Sequence, residues 1–225
     1  MPPEVNGGVG DIPQIETAQE GVHPKLEAVV QKHLTHLYRR VPTANMRAQF
    51  AEIYATHRHA PIILDTGCGR GHSTRLLAQR YPHHRVLGLD KSSHRLQHLP
   101  KEAMPENAYL LRVELVDFWL LAQAHQWRFE QVYLLYPNPW PKAMHLQRRW
   151  HGHAVFPAIL DTAEQLILRT NWKVYAEEFA LAAGLARRPT TAATVLDIAS
   201  EGPFMSAFER KYVLAGQPVY AVQVD

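Results

Sequence analysis

Short apolar runs that alternate with helical segments form the main pattern of the chain. The four clearest runs are continuous rather than alternating, as expected of parallel strands buried on both faces of a sheet. They occupy residues 62–64, 85–89, 108–113 and 131–136. The alternation of strand and helix predicts an α/β fold with a doubly wound, mostly parallel sheet and right-handed crossovers. We expect the last stretch, residues 208–224, to add an antiparallel edge hairpin that turns at Gly216-Gln217-Pro218.

The part of the chain before the first strand divides into an arm and two helices. Residues 1–22 contain three prolines and four glycines without periodicity, which predicts a flexible arm. Residues 23–60 predict two helices that pack on the sheet and form one wall of a cleft. The apolar face of the first helix continues to Tyr38, and Thr43 is placed to cap the second. The main domain is expected to span residues 61–225.

A glycine loop follows the first predicted strand. The strand ends at Asp65, and glycine then occurs at every second position, at Gly67, Gly69 and Gly71. Glycine reaches φ > 0 without strain and lets a ligand approach the backbone closely. The helix predicted over 72–81 directs its free N–H groups to the same place. Because glycine loops are common in α/β proteins, this loop by itself only favours a ligand site.

Asp90 ends the second predicted strand, about 20 positions after the loop, where doubly wound folds place the acid that accepts ribose hydroxyls. The segment Asp65–Gly71 together with Asp90 resembles class I S-adenosylmethionine methyltransferases. Gly71 comes one place too early for the G-x-G-x-x-G of nicotinamide enzymes. The resemblance implies a seven-stranded, Rossmann-like sheet with S-adenosylmethionine as cofactor. The implied cofactor-binding residues are Asp65, Gly67, Cys68, Gly69, Gly71, Asp90 (ribose) and Glu114 (adenine).

Composition narrows the class of protein. A chain of 225 residues is long enough for one domain with a full core. Cys68 is the only cysteine, which excludes an internal disulfide and a thiolate zinc site, and we expect no metal. Neither an apolar run of membrane length nor a signal-peptide pattern occurs, so a cytoplasmic protein without membrane attachment is expected. The net charge of +3 and the pI near 9.0 permit a polyanionic partner.

A proline-rich loop, Tyr136–Lys142, follows the fourth predicted strand with the sequence YPNPWPK. Its three prolines forbid a helix and leave a stiff, extended segment. The carboxyl end of a central strand is where such folds place chemistry, and the side chains of Asn138, Trp140 and Lys142 favour a substrate pocket there. A basic run suited to phosphate contacts comes next. It contains His145, Arg148, Arg149, His151 and His153.

Further segments occur in the order found in bacterial tRNA (guanine-N7)-methyltransferases. They are Arg148-Arg149, Thr170-Asn171-Trp172, Tyr175-Ala176-Glu177 and Ser206-x-x-Glu209. With the two loops, they make the chain resemble that family over roughly residues 61–224. The resemblance implies an enzyme that methylates guanine N7 in tRNA. The implied site has Asn138 and Asn171 orienting the base, Trp140 stacking on it, Lys142, Arg148 and Arg149 on phosphates, and Ser206 and Glu209 in the pocket or at the methionine end of the cofactor.

The chain lacks two acidic residues that the family pattern contains. The family has aspartate where this chain has Asn138 and Asn171, and threonine where it has Ser206. Three outcomes stay open: the same reaction with weaker orientation of the substrate, another substrate, or cofactor or RNA binding without turnover. The loop Asn138-Pro139-Trp140 also resembles that of methyltransferases acting on exocyclic or amide nitrogens of nucleic acid or protein. Monomer and homodimer are both compatible with the sequence.

Overall fold

A computed structural model describes residues 15, 17–98 and 103–225. Seven strands occur in this part of the chain: β1 Ile62–Thr66, β2 Arg85–Asp90, β3 Ala108–Arg112, β4 Phe129–Leu135, β5 Ala163–Thr170, β6 Thr194–Val195 and β7 Tyr220–Val224. The α-helices are α1 Leu26–Thr35, α2 Ala44–His57, α3 His72–Arg80, α4 Ser93–Gln97, α5 Leu115–Ala124, α6 Phe156–Thr162, α7 Lys173–Leu185 and α8 Ala207–Leu214. Two 3₁₀ helices span Ala143–Arg148 and Trp150–Gly152.

The strands form one sheet in the order β3-β2-β1-β4-β5-β7-β6, and the first five in the chain are parallel. This confirms the predicted doubly wound, mostly parallel sheet of seven strands. The strand order reverses between β1 and β4, which lie side by side at the centre. Ligands bind at such a switch point, outside the carboxyl ends of the strands. The glycine loop after β1 and the proline-rich loop after β4 both leave the sheet at this edge.

The carboxyl-terminal strand β7 is antiparallel to β5, as expected, but the predicted hairpin is wrong. Residues 207–214 form helix α8, because the Ser206 hydroxyl caps its first turn by accepting from the Glu209 N–H. Gly216, with φ +66°, then turns the chain towards β7. The antiparallel partner on the outer side of β7 is the two-residue strand β6.

Helices cover both faces of the sheet. On one face, Leu77 and Ala78 of α3 pack against Ile63 and Val86 of the central strands. The larger core lies on the other face, and α1, α2, α5, α6 and α7 all contribute to it. Thr43 caps α2 by accepting a hydrogen bond from the Met46 N–H at 3.1 Å. Helix α1 ends at Thr35, three residues before the predicted limit of its apolar face.

The segment before α1 differs from the predicted flexible arm within residues 17–22. The Thr17 hydroxyl donates to the Pro141 carbonyl at 2.7 Å, and the Gln19 amide donates to Glu178 Oε1 at 2.6 Å. These partners lie far along the chain, so the local composition could not reveal them. Residues 1–14 and 16 of the predicted arm lie outside the described residues. Within the described part of the chain, no helix combines the length and apolar character needed to cross a membrane.

Candidate active site

The glycine loop adopts left-handed backbone conformations at its three glycines. The φ angles are +77° at Gly67, +60° at Gly69 and +81° at Gly71. The N–H groups of Gly67 and Cys68 donate to the Leu89 carbonyl of β2 at 2.8 and 3.0 Å, which closes the turn. A Cβ placed on Gly67 or Gly69 would meet no atom within 4 Å. These two glycines are therefore required by the backbone angle, and the space beside them is open to a ligand.

Asp65 is fully buried beneath this loop. Its Oδ2 accepts hydrogen bonds from the hydroxyls of Ser73 and Thr74, each at 2.6 Å, whereas Oδ1 has no partner among the described residues. Burial raises the pKa of Asp65 to about 6, although the two hydroxyls act in the opposite direction. An unpaired, buried carboxylate oxygen beside an open glycine loop suits a ligand with a cationic or donor group.

Asp90 closes the loop from the neighbouring strand. Its Oδ2 accepts from the Gly69 N–H at 3.0 Å, and its Oδ1 accepts from the Ser92 N–H and the Arg95 guanidinium, each at 2.8 Å. A carboxylate has about four acceptor positions, so one position on Oδ2 remains for a ligand hydroxyl. Arg95 is half exposed, with 52% of its side chain accessible, so its displacement would free a second.

Glu114 lies at the end of the next strand, where it caps α5 by accepting from the Val116 N–H at 3.4 Å. It borders a cavity of about 680 Å³ together with Lys91, Arg112 and residues of α2. Asn45 and Gln49 are among the α2 residues that line it. Helix α2 therefore forms one wall of a cavity that also borders Lys91, the residue after Asp90.

The proline-rich loop has left-handed angles at residues other than glycine. Tyr136 has φ +51° and Trp140 has φ +46°. Bulky residues adopt this conformation only where surrounding contacts impose it, and such strain is concentrated at functional sites. Asn138 is exposed between them, and its Oδ1 accepts from the Trp140 N–H at 3.4 Å. The loop therefore presents the Asn138 amide to solvent in a fixed turn.

The Asn171 loop lies next to the proline-rich loop. Asn171 directly follows β5, whose residue Arg169 pairs with Leu135 at the end of β4. The Tyr136 N–H continues this contact by donating to the Arg169 carbonyl at 2.8 Å. The Asn171 amide donates to Gln217 Oε1 at 3.3 Å. The structure thus places both predicted catalytic asparagines on adjacent loops at one edge of the sheet.

Ser206 and Glu209 attach helix α8 to these loops. The Ser206 hydroxyl accepts from the Glu209 N–H at 3.0 Å. The Glu209 side chain is fully buried, and its Oε1 accepts from the Tyr136 hydroxyl at 3.0 Å and from Arg169 at 2.8 Å. The pair therefore braces the proline-rich loop, and its predicted contact with substrate or cofactor stays a prediction.

Comparisons with known proteins identify the family of the chain. A family model described as "Putative methyltransferase" matches residues 59–222. The chain belongs to this methyltransferase family. A tRNA (guanine-N(7)-)-methyltransferase of Alkaliphilus metalliredigens is 26% identical over 181 residues, which cover 75% of this chain and 83% of that protein. Another of that name, from Macrococcus caseolyticus, is 27% identical over 115 residues, and the match spans 49% of this chain and 55% of that protein.

The fold is also similar to that of solved methyltransferases. The 16S rRNA methyltransferase KamB superposes with a TM-score of 0.54 at 15% identity, covering 82% of this chain and 94% of that one. At this identity the likeness shows the fold alone.

Two neighbouring arginines of this methyltransferase have opposite environments. Arg148 is exposed, and its guanidinium lies 4.7 Å from the centre of the Trp140 ring. Lys142 is exposed as well. Arg149, in contrast, is 0% exposed and donates to Glu178 Oε2 at 2.6 Å. The predicted phosphate contact is therefore wrong for Arg149, since its charge is already paired inside the protein.

A buried cluster around Glu178 was missed in the sequence. Its carboxylate accepts from Arg149 and from His151 Nε2 at 2.8 Å on one oxygen, and from Gln19 and the His23 N–H on the other. Burial alone would raise the pKa of Glu178, but the His151 hydrogen bond and the Arg149 charge hold it at about 2. An ionised carboxylate only accepts, so His151 Nε2 carries the proton. The sequence feature that could have indicated this cluster is a glutamate on the otherwise apolar face of α7.

Proposed function

We propose that this enzyme transfers a methyl group from S-adenosylmethionine to N7 of a guanine in tRNA. The observation that carries the proposal is the position of the Asn138 loop after β4, next to β1 and its glycine loop, where the strand order reverses, with the Asn171 loop after the adjacent strand β5. The relatives named as tRNA (guanine-N(7)-)-methyltransferases support the choice of substrate. A tRNA substrate also leads us to propose the cytoplasm as the compartment.

The residues around the glycine loop fit the proposed cofactor. The open space at Gly67 and Gly69 admits a ligand next to the backbone. The free Oδ1 of Asp65 suits an ammonium group, and the remaining acceptor position of Asp90 suits a ribose hydroxyl. When bound, S-adenosylmethionine supplies an electrophilic methyl group on a sulfonium. We propose that Glu114, at the adjoining cavity, lies near the adenine.

Methyl transfer to guanine N7 requires mainly that the protein positions the base. Guanine N7 has a free lone pair and no proton, so no general base has to create the nucleophile. The protein must hold the base in line with the methyl group and exclude water. The exposed Asn138 amide oxygen can accept from the guanine amino group, and Asn171 can orient the base from the next loop. An amide does not neutralise the positive charge that develops on the base, so the reaction proceeds with weaker electrostatic assistance than an acid would give.

Lys142, Arg148 and Trp140 form the proposed RNA-contacting surface. Lys142 is exposed at the end of the loop that carries Asn138, and Arg148 is exposed at the end of the 3₁₀ helix that follows it. Arg148 stacks on Trp140, and such planes are the partners that unstacked RNA bases use. Phosphate contacts predict binding that weakens steeply with salt. Charge removal in Arg148→Gln should lower the slope of log K against log salt concentration by about one.

The proposal is tested by methyl transfer from labelled cofactor to total tRNA, to DNA and to RNA-free protein extract, followed by nucleoside and amino-acid analysis. Label in 7-methylguanosine supports it. Label in an N-methylated exocyclic amine or in protein glutamine would overturn it in favour of the second candidate, an N-methyltransferase, which the Asn138-Pro139 segment with its exposed asparagine favours. Cofactor binding without label in any fraction would contradict catalysis and support a binding role.

A further inference from the structure

We propose that Arg149 is a positioning residue that locks the Asn138 loop to the Asn171 loop. This inference rests on the proposed function, because the lock matters for catalysis only if the two asparagines contact the substrate. Arg149 lies between the loops but is fully buried, so it acts through other residues and not on the RNA.

The guanidinium holds the proline-rich loop by its backbone. Nε and Nη2 of Arg149 donate to the Trp140 carbonyl at 3.3 and 3.1 Å, and Nη2 also reaches the Lys142 carbonyl at 3.5 Å. Trp140 has the left-handed φ of +46° and stands two positions after Asn138. A bulky residue keeps a left-handed backbone angle only where surrounding contacts hold it, and the Arg149 hydrogen bonds are such contacts. They fix the turn from which Asn138 projects.

The same guanidinium contacts the second loop through a ring. Its central carbon lies 4.7 Å from the centre of the Trp172 ring, within the range of a cation–π interaction. Trp172 is 7% exposed and directly follows Asn171. One buried side chain therefore touches residues within two positions of both asparagines.

Two side chains accept from the guanidinium, and a third side chain holds one of them. Glu178 Oε2 accepts from Nη1 at 2.6 Å, Gln19 Oε1 accepts from Nη2 at 3.0 Å, and His151 donates to the same Glu178 oxygen. Together with the two carbonyls, Glu178 and Gln19 use the planar fork of donors that arginine has. Lysine keeps the charge but has neither the fork nor the plane that stacks on Trp172, so Arg149→Lys separates geometry from charge.

The first experiment measures the loop without RNA. Trypsin cleavage after Lys142 of the folded protein is followed by mass spectrometry, and S-adenosylhomocysteine binding is followed by calorimetry. Arg149→Lys should speed cleavage at Lys142 by about tenfold, because cleavage follows the population of the opened loop. The dissociation constant for S-adenosylhomocysteine should stay within about twofold, since the glycine loop is held separately. Arg128→Lys, exposed at the opposite end of β4, is the matched control and should change neither quantity.

The second experiment measures methyl transfer to tRNA. A misplacement of about 1 Å can cost a hundredfold in rate, so Arg149→Lys should lower kcat by about 30-fold or more at saturating cofactor. If Arg149 acts through Asn138, adding Arg149→Lys to Asn138→Ala should lower kcat by only about threefold more, because the effects of coupled residues are not additive. A merely structural role would instead multiply the two losses.

Unchanged cleavage at Lys142 in Arg149→Lys, or multiplicative losses in the double variant, would overturn the proposal. If Arg149→Lys fails to fold, Gln19→Ala removes one partner of the guanidinium and should show a smaller increase in cleavage. Failure of the proposed function appears separately, as wild-type protein that methylates no tRNA while the cleavage difference persists.

Discussion

The glycine loop after β1 and the proline-rich loop after β4 leave the same edge of the sheet, but they are held in different ways. In the glycine loop, left-handed angles fall on glycines, and the backbone N–H groups of Gly67 and Gly69 donate to Leu89 and Asp90 at the end of the next strand. In the proline-rich loop they fall on Tyr136 and Trp140. The residues that hold this loop by hydrogen bonds are Arg149, which is nearby in the sequence, and Glu209, which is 73 positions beyond Tyr136.

The difference shows two ways of building a site. Glycine makes an unusual backbone angle inexpensive, so the first loop needs few outside contacts. The second loop keeps bulky residues in that conformation, and a buried ion pair between Arg149 and Glu178 supports it. The two buried carboxyls have pKa shifts in opposite directions. The pKa of Asp65 is raised to about 6, and that of Glu178 is lowered to about 2. Damage to the buried ion pair should therefore affect the second loop most.

Loss of the buried arginine should have the largest effect. Arg149→Leu leaves the Glu178 carboxylate buried without its guanidinium, and we expect the free energy of unfolding to fall by about 3–5 kcal/mol. Urea unfolding of the purified protein measures it. Arg148→Leu, one position away but exposed, is the control and should change stability by no more than about 0.5 kcal/mol. Equal losses in the two variants would show that the two arginines do not differ as their burial indicates.

The second prediction concerns pH, and the two carboxyls should respond in opposite senses. The native protein keeps the Asp65 proton up to about pH 6, whereas the unfolded chain releases it near 3.8, so stability falls as the pH rises between these values. For Glu178 the native pKa lies below the ordinary 4.5, so stability is lost as the pH falls from about 4.5 towards 2. Each pKa shift corresponds to a change of about 3 kcal/mol in the free energy of unfolding.

Unfolding free energies of Asp65→Asn and Glu178→Gln between pH 2 and pH 7 test this. Relative to wild type, Asp65→Asn should gain about 3 kcal/mol from pH 4 to pH 7. The deficit of Glu178→Gln should shrink by about 3 kcal/mol from pH 5 to pH 2. Parallel curves for wild type and either variant would contradict the assigned shift of that carboxyl.

The third prediction tests the proline-rich loop as a catalytic element. Asn138→Asp restores the charge that the resembling family has, and one such electrostatic contact is worth roughly a hundredfold in rate. We expect methyl transfer to tRNA to rise by up to that factor in single-turnover assays. Gln147→Glu adds the same charge on an exposed residue of the following 3₁₀ helix and should leave the rate within about twofold. If Asn138→Asp instead abolishes a robust activity, the amide itself is required and the guanine-N7 assignment should be dropped.

The smallest effect is expected in the glycine loop. Gly69→Ala meets no steric obstacle but forces a side chain to φ +60°, which costs about 1–2 kcal/mol. Gly184→Ala in α7 is also free of contacts and has no left-handed angle, so it should stabilise the protein by about 0.5–1 kcal/mol. Thermal unfolding of the two variants separates the backbone angle from the added methyl group. A stabilising Gly69→Ala would show that the loop does not need glycine there.

The sequence by itself determined the sheet, the glycine loop and the main helix caps. Apolar runs and helical periods depend on residues a few positions apart, so the mostly parallel sheet could be predicted. The cap at Thr43 is equally local, and its hydroxyl accepts the expected backbone N–H. Ser206 and Glu209 also carried a local helix signal, which the hairpin prediction overlooked.

Only the tertiary structure decided which of Arg148 and Arg149 is buried and which segment completes its surroundings. The two are identical neighbours in the sequence. The burial of Arg149 rather than Arg148 depends on Glu178, 29 positions beyond Arg149, and on Gln19, 130 positions before it. A buried charge is stable only where folding brings a partner of opposite charge within hydrogen-bond distance. Periodicity along the chain carries no information about such a partner, because the contact exists only once α7, the proline-rich loop and the segment before α1 have come together.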